Sequence, residues 1–207
     1  MRTIYYLGGS PCSGKSTVAR MLADKYGFVY FCLDDHLDEY TERGAKQNKP
    51  HLSQYVKSSA DEIWLAEPKT QSDEEIAMYE EMFPLAVSDL MRIRGKEPIV
   101  AEGAGFMPKL MKNAGVKDNN YVCIVPTKAF QYEKYSERNF VKYVLAKCTN
   151  PEKGFENWME RDALFARSAI DQAAEAGYQS ILVDGRRTQE DILAQVEEIF
   201  GLGRTEA

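Results

Sequence analysis

The residues with the clearest capacity for chemistry lie in one short run near the N-terminus, GGSPCSGKST, from Gly8 to Thr17. Within this run Gly9, Gly14, Lys15 and Ser16 satisfy the pattern G-x-x-x-x-G-K-[ST], which binds phosphate groups. Glycines let the backbone wrap closely around an anion, so that successive N–H groups point inward at a helix N-terminus. The residues expected to contact phosphate are Gly9, Ser10, Pro11, Cys12, Ser13, Gly14, Lys15, Ser16 and Thr17.

Two side chains of this loop carry specific expectations. Lys15 is expected to reach the β- and γ-phosphates of a nucleotide, and the Ser16 hydroxyl to coordinate Mg²⁺. The apolar run Ile4 to Leu7 precedes the loop and a helical pattern follows it, which is the strand, loop and helix context that the motif needs. The alternative is a glycine-rich turn with an exposed lysine. The context favours a site for ATP and Mg²⁺.

The rest of the chain alternates apolar strands with amphipathic helices, which predicts an α/β fold with a mostly parallel sheet and helices on both faces. The predicted strands are Thr3 to Leu7, Phe28 to Leu33, Pro98 to Glu102, Tyr121 to Val125 and Ser180 to Val183. In such sheets ligands bind beyond the carboxyl ends of the strands. Four loops are expected at that edge, at residues 9–16, 34–36, 102–105 and 184–187.

The helical segments between the second and third strands are less regular. Tyr40 to Pro50 is predicted as a loop or frayed helix, and Leu52 to Ala66 as one amphipathic helix. Ser72, followed by a glutamate three residues later, predicts the start of a long helix, which Pro84 is expected to kink or split. The acidic run Asp73 to Glu75 is interpreted as a solvated first turn without a functional role.

Carboxylates follow the second predicted strand. Phosphoryl transfer needs a group that orients or deprotonates the attacking hydroxyl, and Asp34 is the leading candidate for that catalytic role. Asp35 and His36 are candidate substrate contacts. The alternative is that one of the aspartates caps a helix beginning near His36, because Asp is a favoured N-cap.

The third predicted strand ends in Glu102, Gly103, Ala104 and Gly105. Glu102 is a candidate for holding the water shell of Mg²⁺ or for contacting the acceptor; the alternative is a strand-terminal surface acid. Gly103 and Gly105 are candidate substrate-binding positions, because small residues open space there, or they relieve steric crowding.

A transferring phosphoryl group also calls for a cation from a closing segment. Arg138 is the leading candidate for this catalytic role, ahead of Lys134, Lys142 and Arg161. Arg161 and Arg167 are six residues apart on one predicted helix and therefore lie on different faces, so only one is expected to point at the site.

Two further arginines, Arg186 and Arg187, lie in the loop after the fifth predicted strand. Arg186 is a candidate nucleotide contact that would stack on or flank an adenine. A solvated pair of loop arginines is the alternative.

Composition narrows the classes of partner. The formal net charge of −6 and the pI near 5.1 argue against a nucleic acid partner. The four cysteines are scattered and the only histidines are His36 and His51, a pattern that predicts reduced thiols in a cytoplasmic protein rather than a zinc site. No apolar stretch is long enough for a signal peptide or a membrane span. A single domain over residues 1–207 is expected.

These motifs together resemble the P-loop small-molecule kinases, a group that includes nucleoside monophosphate, shikimate and gluconate kinases and chloramphenicol phosphotransferase. GGSPCSGKST is similar to their Walker A sequence, IVAEGAGFMP resembles the strand and Gly-x-x-Pro region of monophosphate kinases, and LDDHL resembles the substrate-side aspartates of shikimate and gluconate kinases. The resemblance implies a three-layer P-loop NTPase fold with strand order 2-3-1-4-5. It also implies an acceptor-binding helical region at about residues 36–95, a helical lid at about 127–155 and an adenine loop at 184–187.

The chain departs from that group in two places. The lid region lacks a pair of closely spaced arginines, and the acceptor region has only Arg43, Arg92 and Arg94 nearby, with no cluster for a second phosphate. This favours a hydroxylated small metabolite or an antibiotic-like molecule over a nucleotide as acceptor.

The resulting expectation is an ATP- and Mg²⁺-dependent kinase that transfers the γ-phosphoryl group to a small-molecule hydroxyl or phosphate acceptor. The main alternative is a P-loop ATPase or nucleotide-dependent switch that acts on a protein partner. A polynucleotide 5′-kinase is disfavoured by the acidic pI.

Overall fold

The structure is a computed structural model that describes residues 2–203. Its sheet consists of β1 (Ile4–Gly8), β2 (Val29–Cys32), β3 (Ile99–Glu102), β4 (Tyr121–Pro126) and β5 (Gln179–Val183). Every strand pair is parallel, and the strand order is β2-β3-β1-β4-β5. In the centre, Leu7 of β1 lies beside Glu102 of β3 and Val122 of β4. The predicted order 2-3-1-4-5 is confirmed.

The helices fall before, between and after these strands. They are α1 (Lys15–Tyr26), α2 (Leu37–Lys46), α3 (Pro50–Lys57), α4 (Ala60–Trp64), α5 (Pro68–Arg92), α6 (Pro108–Asn113), α7 (Lys128–Ser136), α8 (Phe140–Val144), α9 (Pro151–Ala176) and α10 (Gln189–Phe200). Single 3₁₀ turns occur at Asp34–His36 and Asp118–Asn120. Among residues 2–203, no helix has the length and apolar character that crossing a membrane requires.

The core lies in two layers, one on each face of the sheet. Neighbouring strand residues point to opposite faces, so Tyr6 packs in the layer beneath α5 and α9, whereas Leu7 packs in the layer beneath α1 and α10. Because helices cover both faces, β1, β3 and β4 are apolar along nearly their whole length. The predicted helices on both faces are confirmed.

The segment after β2 decides one open alternative and overturns one prediction. Of the loop and the frayed helix predicted for Tyr40 to Pro50, the structure has a helix, α2, up to Lys46, and its Gly44 is a close-packing position: a Cβ atom there would lie 2.2 Å from Cδ1 of Leu52. The predicted single helix from Leu52 to Ala66 is two helices. Ser59 caps the second one, accepting a hydrogen bond from the Glu62 N–H at 3.2 Å while the Glu62 carboxylate accepts one from the Ser59 N–H at 2.8 Å.

Helix α5 begins at Pro68 rather than at Ser72. Proline suits the first position of a helix, where an N–H would have no partner, and Ser72 instead lies on the buried face. Pro84 does not divide the helix. It is exposed, so the Glu80 carbonyl that loses its hydrogen bond faces the side open to water. Residue 75 therefore lies in the second turn of an unbroken helix.

The close approach of the phosphate-binding loop to β4 generates a stability prediction. A Cβ atom at Gly9, whose φ is +109°, would lie 2.1 Å from the Ile124 carbonyl oxygen, whereas Gly27 (φ +67°) has open space. We expect Gly9→Ala to lower the free energy of unfolding by roughly 4 kcal/mol or more. The matched variant Gly27→Ala should cost only about 1–2 kcal/mol. Urea unfolding measures both; equal losses would show that the clash at Gly9 is relieved by movement of the loop.

Candidate active site

The loop between β1 and α1 has the form that the phosphate-binding motif predicts. Gly14 adopts a left-handed conformation (φ +81°) immediately before the first residue of α1. The Lys15 ammonium is buried at the centre of the loop, where it donates to the Ser10 carbonyl at 2.7 Å and to the Ser13 hydroxyl at 3.3 Å. The loop therefore holds its cation in place through its own backbone, next to the helix N-terminus.

A second feature of this loop is backbone strain. Cys12 is one of two non-glycine residues with a positive φ in the described chain, at +60°. Residues held in this conformation cluster at ligand-binding sites, because the surrounding structure must maintain the strain. Burial raises the pKa of the Cys12 thiol, so the cysteine is not an activated nucleophile.

A cavity of about 380 Å³ opens above this loop, and we call it the phosphate-loop cavity. Ser16 and Thr17 are exposed within it. Its remaining walls come from the 3₁₀ turn after β2, the start of α2, α5 and the α7–α8 segment, through Asp34, Leu37, Glu75, Tyr79, Tyr135, Arg138 and Phe140. The structure thus gathers the predicted loop residues, Asp34 and Arg138 around one space.

Asp34 begins the 3₁₀ turn that leaves β2, and its surface is open to the phosphate-loop cavity. The protein around it desolvates the carboxyl group and raises its pKa, an effect that the nearby Lys15 opposes and that Glu102 reinforces. Helix α2 begins after His36 and no side chain caps it. The helix-capping alternative for Asp34 is therefore not observed.

Glu102 lies behind the cavity rather than on its wall. It is fully buried, and the Tyr30 hydroxyl donates to its Oε1 at 2.8 Å, while Oε2 has no hydrogen-bond partner among residues 2–203. That stretch contains no group of three or more His, Cys, Asp or Glu side chains suited to a metal. The alternative of a surface acid is wrong. The Ser16 hydroxyl, by contrast, is exposed at the cavity surface, and its contact with Mg²⁺ stays a prediction.

The other predicted substrate contacts do not line the phosphate-loop cavity, nor a second cavity among helices α2 to α5 and α9. These residues are Asp35, His36, Gly103 and Gly105. His36 stacks on the Phe31 ring at 5.4 Å, and Asp35 is exposed elsewhere. A Cβ atom on Gly103 would lie 2.7 Å from Cβ of Leu33, and one on Gly105 would lie 2.8 Å from Cδ1 of Tyr79. The two glycines therefore relieve steric crowding, which is the alternative to a role in substrate binding.

A second cavity, of about 390 Å³, lies among helices α2 to α5 and α9, and we call it the helical cavity. It shares Leu37, Glu75 and Tyr79 with the phosphate-loop cavity, so the two spaces adjoin. Its lining residues fall between 37 and 82, apart from Arg161. This range lies within the segment, residues 36–95, for which the sequence predicts acceptor binding.

Glu75 stands at the junction of the two cavities, which corrects its interpretation as part of a solvated first turn. The Arg161 Nε lies 3.4 Å from Glu75 Oε2 and donates to Asp162 Oδ1 at 2.8 Å. Asp162 is fully buried. Burial raises the pKa of both carboxyl groups, and the Arg161 guanidinium opposes that rise.

The packing of Arg161 explains why it, and not Arg167, faces the site. Its guanidinium lies 5.1 Å from the ring centre of Trp64 and 5.6 Å from that of Trp158. Its side chain is 12% exposed, whereas that of Arg167 is 78% exposed. The expectation that only one of the two arginines points inward is confirmed.

The sequence contains a signal for Glu75 that depends on the correct helix start. When α5 is taken to begin at Pro68, one of its faces includes Gln71, Ser72, Glu75, Tyr79 and Met82. Successive turns of this face are three or four residues apart, as expected for one side of a helix. Four of these residues are buried, and Glu75 is largely so. A glutamate within a buried stripe indicates a paired or functional group rather than a solvated one.

Two short helices, α7 and α8, lie within residues 127–155, where the resemblance implies a helical lid. Arg138, between them, lines the phosphate-loop cavity; its guanidinium lies 5.4 Å from the Tyr135 ring centre and 5.9 Å from that of Phe140. Within the described chain no carboxylate pairs with it. Lys134, by contrast, pairs with two exposed glutamates, and Lys142 lines neither cavity. Among the predicted cations of this segment, Arg138 is the one on the cavity wall.

The loop after β5 holds its two arginines differently. Arg187 donates to Gln195 Oε1 at 2.7 Å and to the Leu182 carbonyl at 3.1 Å, so its role is structural. The Arg186 side chain is 89% exposed and lies 3.5 Å from Asp184. Neither lines the phosphate-loop cavity, and adenine contact by Arg186 stays a prediction.

Comparison with solved structures finds similar chains at low sequence identity. The YorR protein of Bacillus subtilis, solved in complex with phosphorylated GDP, has 11% identity and a TM-score of 0.47, over 96% of each chain. TT1252 from Thermus thermophilus has 15% identity and a TM-score of 0.44, over 94% of this chain and 98% of that one. No protein-family model and no curated protein matches the chain. The strand order, the helices on both faces and the glycine-rich loop of this chain define a P-loop NTPase-like α/β fold.

The buried position of Glu75 generates a pH-dependent prediction. Burial raises its pKa in the folded protein above the ordinary value of 4.5, which applies to the unfolded chain. At pH values between the unfolded-state pKa and the folded-state pKa, the folded protein therefore binds more protons than the unfolded chain. Stability therefore falls as the pH rises through this window. Glu75→Gln should remove that fall. At pH values above the window, the free energy of unfolding of this variant should exceed that of the wild type by roughly 1–3 kcal/mol.

The measurement is urea unfolding at a series of pH values from 4 upward, with Glu80→Gln as the control. Glu80 is an exposed residue of the same helix. The difference between Glu75→Gln and the wild type should grow with pH, whereas the control should follow the wild type. Parallel stability curves for all three proteins would contradict the burial argument.

Proposed function

We propose that this protein is an ATP- and Mg²⁺-dependent kinase that transfers the γ-phosphoryl group to a small-molecule acceptor. The observation that carries the proposal is the junction of two cavities, one above the phosphate-binding loop and one among the helices, through Leu37, Glu75 and Tyr79. Transfer between two bound molecules needs a donor site and an acceptor site in direct contact. The phosphate-loop cavity supplies the first and the helical cavity the second.

The donor half consists of the loop and its cations. Lys15, held at the loop centre, is positioned for the β- and γ-phosphates once the nucleotide displaces its contact with the Ser10 carbonyl. The Ser16 hydroxyl would bind Mg²⁺, which neutralises charge on the phosphates. Arg138 adds a cation without a carboxylate partner in the described chain, on the wall of the same cavity. Glu102 is the proposed support for the metal's surroundings from the buried side.

The acceptor half begins at Asp34. Its carboxylate faces the same cavity as Lys15, and desolvation raises its pKa towards the range in which a carboxylate accepts a proton effectively. Asp34 would orient and deprotonate the attacking hydroxyl. An ATPase or switch needs only water as acceptor, so the helical cavity beside Asp34 favours a kinase.

The first test is acceptor-dependent release of ADP in a panel of hydroxylated small molecules. Lys15→Ala should abolish both ATP binding and turnover. Asp34→Asn should retain ATP affinity within about twofold and slow transfer by roughly 10²–10⁴-fold, the range for loss of a general base. Calorimetry measures nucleotide binding separately from turnover. Turnover by Lys15→Ala, or wild-type rates in Asp34→Asn, would contradict the assigned roles.

Arg138 has a matched control on the same segment. Arg138→Ala should lower kcat by about 10²–10³-fold, because it removes a cation that stabilises charge in the transition state. Lys142→Ala removes an equally exposed cation that lines neither cavity, and it should leave kcat unchanged. Steady-state kinetics with the acceptor found above distinguishes the two. Equal effects would mean that the general positive charge of this segment matters rather than Arg138.

A further inference from the structure

The helical cavity has a charge balance that selects among acceptors. Four carboxylates line it, Asp38, Glu62, Glu74 and Glu75, against one guanidinium, that of Arg161. That guanidinium already pairs with Asp162 and Glu75. The cavity is therefore acidic, and its one arginine is not available for a ligand.

The histidine of this cavity does not alter that balance. The Nδ1 atom of His51 lies 2.7 Å from Glu74 Oε2, and this contact raises the pKa of the imidazole. A protonated His51 neutralises only its own partner. No lysine lines the helical cavity in the part of the chain that the structure describes. A phosphate or carboxylate on the acceptor would meet carboxylates without a cation to pair with.

An unused hydrogen-bond acceptor gives an independent indication. Gln71 lines the cavity and is 93% buried, with 7% of its surface exposed. Its amide nitrogen donates to the carbonyls of Trp64, at 3.2 Å, and Ala66, at 2.8 Å, which determines the orientation of the amide. Its Oε1 has no partner among residues 2–203. A buried acceptor of this kind calls for an N–H or O–H donor from a ligand.

The remaining lining is apolar. Ile63, Met78 and Met82 contribute aliphatic and thioether surface, and Tyr55 and Tyr79 contribute aromatic surface. The volume of about 390 Å³ lies within the range of small-molecule sites. Aromatic rings in an acidic pocket also favour cations, through attraction to the ring faces.

We propose that the acceptor is an amine-bearing hydroxyl compound with an apolar body. The ammonium group binds among Asp38, the Gln71 carbonyl oxygen and Glu74, whose contact with His51 uses only Oε2. The apolar body packs on the methionines. The hydroxyl group then lies at the junction marked by Glu75, next to the phosphate-loop cavity. Calling this molecule the acceptor rests on the proposed kinase function. Its binding to the helical cavity can be tested without turnover.

The test compares three compounds that share a phenyl ring and a benzylic hydroxyl: 2-amino-1-phenylethanol, 1-phenyl-1,2-ethanediol and mandelate. They differ in the group on the benzylic carbon, which is an aminomethyl group charged as ammonium, a neutral hydroxymethyl group or a carboxylate. Binding to the full chain is measured by NMR titration without nucleotide. The amine should bind about 10-fold tighter than the diol, as expected for a charge-assisted contact, and mandelate should bind weakest.

Variants connect the preference to this cavity. The double variant Asp38→Asn with Glu74→Gln removes two lining carboxylates at nearly constant size, and should reduce the preference for the amine to about twofold or less. The control, Glu42→Gln with Glu80→Gln, removes two exposed carboxylates from the same helices, α2 and α5, that do not line the cavity. It should retain the preference. Unfolding curves verify that both double variants are folded.

Each outcome decides the proposal. Tighter binding of the amine, lost only in the cavity variant, supports it. Equal or tighter binding of the diol or mandelate, no binding of the amine, or an unchanged preference in the cavity variant would overturn it. Selective amine binding by a protein that phosphorylates none of its ligands would contradict the kinase function alone.

Discussion

The pairing of Arg161 with Glu75 and Asp162 is the interaction on which the arrangement of the site depends. A charge within a protein interior is tolerated only when it is paired, because desolvation otherwise costs several kcal/mol or more. Glu75 belongs to α5 and the other two residues to α9, so the ion cluster joins the two longest helices of the described chain where Glu75 lines both cavities. The cluster thereby sets the wall that both cavities share.

The same cluster is connected to the phosphate-binding loop. The Ser10 hydroxyl donates to the Asp162 carbonyl at 3.4 Å, and the Ser10 carbonyl in turn accepts from Lys15. A chain of contacts therefore runs from the wall that the two cavities share to the Lys15 ammonium. Trp64 and Trp158 exclude water from one side of Arg161, and together with Tyr135 they form an apolar cluster that supports α7 and α8.

Much of the framework followed from local patterns. The strand, loop and helix at the N-terminus were predictable, and so were the different faces of Arg161 and Arg167, because glycine spacing and helical periodicity are local consequences of backbone geometry. The strand order followed from the resemblance to the P-loop kinases. The helix boundaries between residues 37 and 66 were not predictable from the sequence. Gly44 indicates a helix break there, and only the tertiary structure shows that it packs closely against Leu52. Glu75 was missed because an N-cap signal at Ser72 competed with Pro68, and packing favoured the proline.

The sequence alone determined the phosphate-binding loop and the alternation of strands and helices that predicts a parallel sheet, because the loop depends on glycine spacing and strands covered on both faces are continuously apolar. Only the tertiary structure decided which charged groups share a cavity. Asp34 and Arg138 are brought to the loop by different elements, and Glu75 meets Arg161 across 86 positions of chain. Such contacts are created when helices pack, and burial then decides whether a carboxylate is a solvated surface group or part of a site.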